Sequence, residues 1–383
     1  MKVLFASHLY PNPVSPLYGV FVAELAAALS SELAVDVFAP VAWRPFDAQQ
    51  RKIGAVRRER GLTVAHPRRM PVPGALASIR WMTYAAALKS SFQGVNWDIV
   101  HSHWIDPDAM AVAQSPRTAR ARLVATIHGH AAIGLGLKGR KSPNLGPALR
   151  RMDHVVAVSS ELRSILIDEF GVESNRVSVR FNGIDPAKFR YQEMAKARQK
   201  LGLPLNRRIL LHVARLSTEK RHRVLLEALD LCQVRDFEIH LLGEGPLRGE
   251  IEAEISRRHL EDRVFLHGGV AHDRLPDWFA AADVFCLSSA HEGCPVVIHE
   301  ALACGVPVVS TRVGAVPDLV GSGDGVLCER ENPEALAVAF EAVWSQGWDR
   351  EGIANRGSVH TWNAVAHDLV RLYQGLISGD VVK

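Results

Sequence analysis

The 383-residue chain has no apolar run of 18 residues. Its best stretch, 18–43, is interrupted by Glu24, Glu32 and Asp36, so no membrane-spanning helix is expected. Nor is a secretory leader: Met1-Lys2-Val3-Leu4-Phe5-Ala6-Ser7 is too short an apolar run, and Pro11 and Pro13 follow at once. Cysteine is scarce. The five residues Cys232, Cys286, Cys294, Cys304 and Cys328 all lie in the second half, and no two form a C-x-x-C pair. An odd, scattered set excludes a disulfide framework and suits reduced thiols, hence a cytoplasmic protein. Cys286 and Cys304 read as small core residues. Low-complexity tracts are absent, and a net charge of +4 is too small to argue for a nucleic-acid partner.

What charge there is lies unevenly. Residues 51–69 carry Arg51, Lys52, Arg57, Arg58, Arg60, Arg68 and Arg69 against Glu59 alone, and a second cluster is Lys138, Arg140, Lys141, Arg150 and Arg151. Such clusters suit a solvated face, or contact with anionic lipid or a phosphorylated acceptor. The composition, 48% apolar and 22% charged, is that of a globular protein, and the length is that of two domains. Apolar runs alternate with helical periods through both halves, as a parallel sheet covered by helices on both faces requires.

The most informative stretch is Glu292-Gly293-Cys294-Pro295-Val296-Val297-Ile298-His299-Glu300-Ala301-Leu302-Ala303-Cys304-Gly305. Apolar runs at 284–287 and 306–309 flank it, so it reads as strand, loop, short helix, strand. Pro295 suits the first turn of the helix and Gly305 its end. The unpaired N–H groups of the helix start favour an anion. Glu292 and Glu300 flank that point, and eight residues at helical rise span roughly 12 Å, about the reach from a ribose past a diphosphate to a sugar.

This stretch resembles the E-x7-E signature of retaining glycosyltransferases of the GT-B fold, family 4 in particular. The pattern E-G-x-P-x4-E-A-x-A-x-G-x-P-V-V is met at Glu292, Gly293, Pro295, Glu300, Ala301, Ala303, Gly305, Pro307, Val308 and Val309. The resemblance implies an α/β fold of two Rossmann-like doubly wound domains facing a cleft, with a C-terminal helix crossing back to the first. Residues 1–186 would form the acceptor domain, joined by a helix at 360–378, and 207–355 the nucleotide-sugar donor domain. Pro186 to Asn206, polar and basic, would be the linker.

In the first half, a strand over 3–6, a proline-rich loop and a helix led by Gly19-Val20-Phe21 are similar to the family's first loop, whose G-x-F glycine faces the donor phosphate or sugar. This implies that Gly19 lies in the site. Asp98-Ile99-Val100-His101-Ser102-His103-Trp104, followed by Pro107-Asp108, resembles the D-V-V-H-x-H-W element. His101 and His103 alternate on one face and could hold a metal, but no third ligand stands at usable spacing, so packing or an acceptor contact is expected. Leu123 to Ile127 is a strand ending at His128-Gly129-His130. By resemblance His128 reaches the donor sugar; relatives continue H-G-S-D where this chain has His130 and Ala131. Gly134-x-Gly136-x-x-Gly139 follows a loop rather than a strand and reads as flexible backbone, not a cofactor site. Ser160 is expected to cap a helix reaching about Phe170.

In the second half, Arg215 and Lys220 leave the end of a strand over 208–214, ahead of a helix starting near Glu219. They resemble the cations of G-R-L-x3-K-G, with Ala214 and Arg221 in place of the glycines. Fixed cations there would neutralise a diphosphate leaving group without a metal. Gly243-Glu244-Gly245-Pro246 resembles the family's G-x-G-P turn, and the strand ending at Val270 its nucleobase contact. The resemblance therefore implies a retaining transfer from a nucleotide-sugar donor to a saccharide or lipid-linked acceptor, with peripheral contact at an anionic membrane. Glu300 would hold the ribose and Glu292 the donor sugar, with Gly293, Cys294, Pro295 and Val296 beside the phosphates. No metal, cofactor or nucleic acid is expected. A non-hydrolysing nucleotide-sugar epimerase and a non-catalytic nucleotide-sugar-binding subunit are the alternatives.

Overall fold

The computed structural model describes residues 1–43, 47–73, 79–91, 95–114, 121–129 and 145–380. The chain divides into two compact units, Met1–Gly183 with Trp362–Lys383, and Ile184–Thr361.

The first unit is built on an eight-stranded sheet. Its order is Val177–Val179, His154–Ala157, Arg122–Ile127, Ile99–His103, Lys2–Ala6, Ala34–Phe38, Leu62–Ala65 and Val56–Glu59. All neighbours are parallel except the last pair. The central strands are buried along nearly their whole length, which is why they read as continuous apolar runs rather than alternating ones. Strand order reverses between Lys2–Ala6 and Ile99–His103, so the loops leaving their carboxyl ends open a crevice there. The Val20–Leu29 helix packs against the C-terminal helix Trp362–Ser378. Trp362, Ala366, Leu369, Leu372 and Tyr373 join its core at helical spacing.

The second unit has six parallel strands in the order Val264–Gly268, Phe237–Leu242, Arg208–Val213, Val284–Leu287, Val308–Thr311 and Gly325–Cys328. In chain order this is 3-2-1-4-5-6, the doubly wound nucleotide-binding arrangement, with its reversal between Arg208–Val213 and Val284–Leu287.

Three local expectations change, and the basic 51–60 stretch acquires its elements. The 186–206 stretch is no bare linker: it carries the Met194–Leu201 helix, where buried Ala197 packs with Ala280 and Ala281, so it belongs to the second unit. The basic 51–60 stretch is a short turn, Ala48–Lys52, followed by the antiparallel edge strand. The helix cap is Ser159 rather than Ser160, since Ser159 Oγ accepts the Leu162 N–H at 3.1 Å. The helix expected from Glu219 begins at His222, after a 3-10 turn over Thr218–Lys220. His130, Ala131, the 134–139 glycines and Lys138, Arg140 and Lys141 lie outside the described residues.

Candidate active site

In the second unit, three strand ends deliver the expected residues. The loop after Arg208–Val213 is tied to the 243–247 turn: Leu216 N donates to Glu244 O at 3.0 Å and Leu247 N to Leu216 O at 3.1 Å. This leaves Arg215 exposed, with no ion-pair partner among the described residues. Lys220 is half-buried, and its Nζ donates to Glu292 Oε1 at 2.6 Å. Ser289 Oγ donates to the same oxygen at 2.6 Å. The two loops are also joined through backbone, with Ser288 Oγ on Lys220 O at 2.9 Å and Ala290 N on Glu219 O at 2.8 Å. The third strand end closes from the other side, where Thr311 Oγ1 donates to Ser289 O and Ala315 N to Gly293 O. Gly314, at φ +55°, lies so close that a Cβ would stand 2.4 Å from Gly293 O and 2.6 Å from Glu292 O. The acceptor carboxylate at position 292 is thus set by backbone as much as by its own partners.

The Val296–Ala303 helix starts after Pro295, which supplies no side-chain cap. Its first-turn N–H groups are therefore the expected anion seat. Only four of the eight steps between the two glutamates are helical, so helical rise does not measure their separation. Glu300 is 2% exposed. Its Oε1 meets His272 Nε2 at 2.7 Å, while Oε2 is buried with no partner. A buried carboxylate oxygen in that state costs free energy unless a ligand hydroxyl fills it. His272 sits two residues after Val270, which packs on the core below. Cys294 is buried, with Sγ 3.3 Å from His299 Nε2. Burial, and then His360, push the His299 imidazole down to about 3, so its neutral ring does not stabilise a thiolate. Arg221 occupies the left-handed conformation (φ +52°), which glycine adopts most freely, and its Nε donates to Glu331 Oε1 at 2.6 Å.

In the first unit Gly19 stands at the helix start with φ +66°, and a Cβ there would lie 2.1 Å from Leu9 O. His128 leaves the end of Arg122–Ile127 and stacks on His103 with centroids 5.3 Å apart, their Nε2 and Nδ1 3.0 Å apart. Its Nδ1 and His103 Nε2 are buried without partners. Burial pushes His128 down to about 3. His101 is held at both nitrogens, by Tyr373 OH at 2.5 Å and Thr126 Oγ1 at 2.7 Å, so it is a packing residue. No group of three His, Cys, Asp or Glu residues able to hold a metal occurs among the described residues.

Sequence reading passed over His272, whose only signal is its position two residues after Val270. It also passed over Asp106, which with Asp108 has Asp-x-Asp spacing.

Residues 193–358 match the model of glycosyl transferases group 1, and residues 19–188 that of glycosyltransferase family 4. A Bacillus subtilis glycosyltransferase named for teichuronic acid biosynthesis is 30% identical over 369 residues, 90% of each chain. The N-acetyl-alpha-D-glucosaminyl L-malate synthase of Bacillus anthracis is 29% identical over 270 residues, 68% of each. Among solved structures, sucrose-phosphate synthase from Thermosynechococcus elongatus superposes with TM-score 0.82 at 20% identity, covering 99% of this chain and all of that one. Anabaena HepE in complex with UDP gives 0.75 at 22% identity, covering 98% of this chain and all of that one. At these identities the structures show the fold, which is GT-B.

Proposed function

The chain belongs to glycosyltransferase family 4, the glycosyl transferases of group 1, and from that premise we propose that it moves a sugar from a nucleotide-sugar donor to an acceptor hydroxyl with retention at the anomeric carbon. The observation that carries the donor reading is Glu300: a fully buried carboxylate in the second unit, with one oxygen on His272 and the other unfilled, beside an uncapped helix start. Ribose hydroxyls fill such an acceptor, and the diphosphate takes the helix start with Arg215 and Lys220.

In the reaction the bond from the anomeric carbon to the diphosphate oxygen breaks and the bond to the acceptor oxygen forms on the same face. The acceptor's proton passes to the departing diphosphate. Arg215, Lys220 and the helix dipole stabilise the charge that develops there, the part of the barrier that fixed cations lower most. Glu292 holds the donor sugar, Gly293, Cys294, Pro295 and Val296 line the phosphates, Val270 borders the base, and Gly19 and His128 serve the transferring sugar. No protein nucleophile and no metal is invoked.

HepE holds UDP, which makes UDP the first nucleotide to try. The relatives' names point to saccharide and small-acid acceptors. No described helix is long and apolar enough to cross a membrane; the proposal is a cytoplasmic enzyme in peripheral contact with anionic lipid. Vesicles of such lipid that neither bind the protein nor raise its activity would remove that last part.

The direct test is thermal stability with UDP, GDP and ADP, for wild type and Glu300→Ala. A nucleotide at 100 times its Kd adds about 2.7 kcal/mol. One nucleotide stabilises the wild type, and the variant loses most of that gain. Conversion of a donor sugar without any acceptor would instead mark an epimerase.

A further inference from the structure

The reversal point of the first sheet holds a second polar cluster, apart from the residues given to the donor. Three elements meet there: the short strand Arg68–Arg69, the helix Arg80–Ser91, and the Ile105–Ala109 turn that leaves Ile99–His103. Both carboxylate oxygens of Asp108 are engaged by His8, accepting from its backbone N–H at 2.6 Å and from Nδ1 at 2.5 Å. That pair pins the loops of the two central strands together. Asp106 is different: its Oδ1 is buried and has no partner. Arg69 is also incomplete. Its Nε is buried without a partner, and its one side-chain bond among the described residues is a long 3.4 Å contact to Met70 O.

Neither Arg69 nor Arg80 has an ion-pair partner within 4.0 Å among the described residues. Burial first, and then the charge of Arg80, push the Arg69 guanidinium below its usual value, and Tyr84, Asp108 and Asp106 offset this only in part. Two arginines on contacting elements, neither of them ion-paired and one with a donor withdrawn from water, form an arrangement that an anion completes and water does not. Asp106 beside them offers the acceptor lone pairs that a hydroxyl needs; burial raises its carboxyl, and Arg80 and His8 pull it back.

We propose that Arg69 and Arg80 bind a carboxylate or phosphate group of the acceptor and that Asp106 accepts a hydrogen bond from one of its hydroxyls. The acceptor is thereby an acid. This rests on the transferase reading above, but it concerns the first unit alone. The anion has two sources, a soluble acidic sugar or a lipid headgroup. Exposed Trp43, whose N–H bonds to Arg69 O, and exposed Met70 beside it make the second source concrete.

The test is calorimetric titration, with no donor present, of inorganic phosphate, D-glucuronate, and vesicles of phosphatidylglycerol in phosphatidylcholine. At least one probe binds the wild type. Arg69→Gln and Arg80→Gln each weaken it roughly tenfold or more, as loss of a charged hydrogen bond does. Arg80→Lys keeps the charge without the fork and falls between. Asp106→Asn weakens D-glucuronate and leaves phosphate unchanged. Binding of vesicles alone, lost in the arginine variants, assigns the anion to lipid; binding of the soluble probes assigns it to a free acid. The proposal is overturned if no probe binds, if binding survives both arginine variants, or if Arg58→Gln, an exposed change on the edge strand, weakens it equally and net charge alone is responsible. UDP titrated in parallel reads the second unit. Failure of the anion arm with UDP binding intact sinks only the acid acceptor, and failure of UDP binding sinks the donor reading.

Discussion

Lys220 and Glu292, 72 residues apart in the chain, meet through a 2.6 Å bond between Nζ and Oε1. Both side chains are mostly out of water, at 18% and 11% exposure. The pair joins the end of the first strand to the end of the fourth, across the reversal of the sheet. It therefore places a cation and an acceptor carboxylate together before any ligand arrives. Lys220→Ala should lower transfer by roughly 10²–10³, the usual loss when one charge-stabilising donor is removed. Glu292→Gln keeps a partner for Ser289 Oγ but loses the ionic bond. If the two residues act as a unit, the double variant is no slower than the worse single one. Full additivity in kcat would show that they act separately.

Gly314 tests whether the Glu292 loop is set by backbone. A Cβ there meets two carbonyl oxygens within 2.6 Å, and φ is +55°, so Gly314→Ala must move the Glu292–Gly293 backbone. We expect a stability loss of about 1–3 kcal/mol and a larger proportional loss of transfer than of UDP affinity. Thermal melts and a UDP titration on one preparation measure both. An alanine variant with wild-type melting and activity would mean that the loop is loosely held.

The doubly wound architecture was legible because buried parallel strands are apolar throughout and the intervening helices keep their period. The helix that carries Glu300 was legible because the prolines and glycines around it specify a helix between two strands. His272 was not: it reaches Glu300 across 28 residues, and only the strand order brings them together. Asp106 was invisible for the same reason, and Arg69 stood out only as one member of a basic cluster. Local pattern gives each residue an element, whereas a site at a sheet reversal is assembled from the ends of elements far apart in sequence. The Met194–Leu201 helix was missed because its polar, basic surface imitates a linker and only Ala197 and Arg198 are buried. Arg198 is held there by Asp283 at 2.6 Å.

Arg221 stands where the resembled motif has a glycine, and it takes the left-handed conformation, at φ +52°, that glycine adopts most freely. That conformation costs a non-glycine residue about 1–2 kcal/mol. Its exposed bond to Glu331 returns at most about 1 kcal/mol. Arg221→Gly should thus change stability by no more than about 1 kcal/mol in either direction, with UDP affinity kept. A loss above about 2 kcal/mol in a melt would show that the ion pair matters more than surface pairs do.

Buried histidines contribute to the loss of stability in acid. Burial is the first cause in each case. It pushes His101 and His128 down to about 3 and His154 to about 4, and in the second unit it takes His222 and His240 to about 4 and His299 to about 3. Each is neutral in the fold and would take up a proton on unfolding below its ordinary value of about 6.5. The unfolded chain therefore binds more protons between about pH 3–4 and 6.5. Stability is full above 6.5 and falls as pH drops through that window, by up to about 1.4 kcal/mol per pH unit for each group. His154 is the cleanest probe. Its Nε2 meets Ser178 Oγ at 2.8 Å, a bond glutamine can keep, and Arg180 and Arg176 oppose its protonation. His154→Gln should move the acid midpoint of the first unit to lower pH, followed by tryptophan fluorescence from pH 7 to 4. An unchanged midpoint would show that His154 is already protonated in the fold. The same depression bears on catalysis, because a His128 that stays neutral from pH 5 to 8 puts no limb in the pH–rate profile there. His128→Asn should then lower the rate by the same factor at every pH in that range, and a factor that varies with pH would give His128 a proton-transfer role.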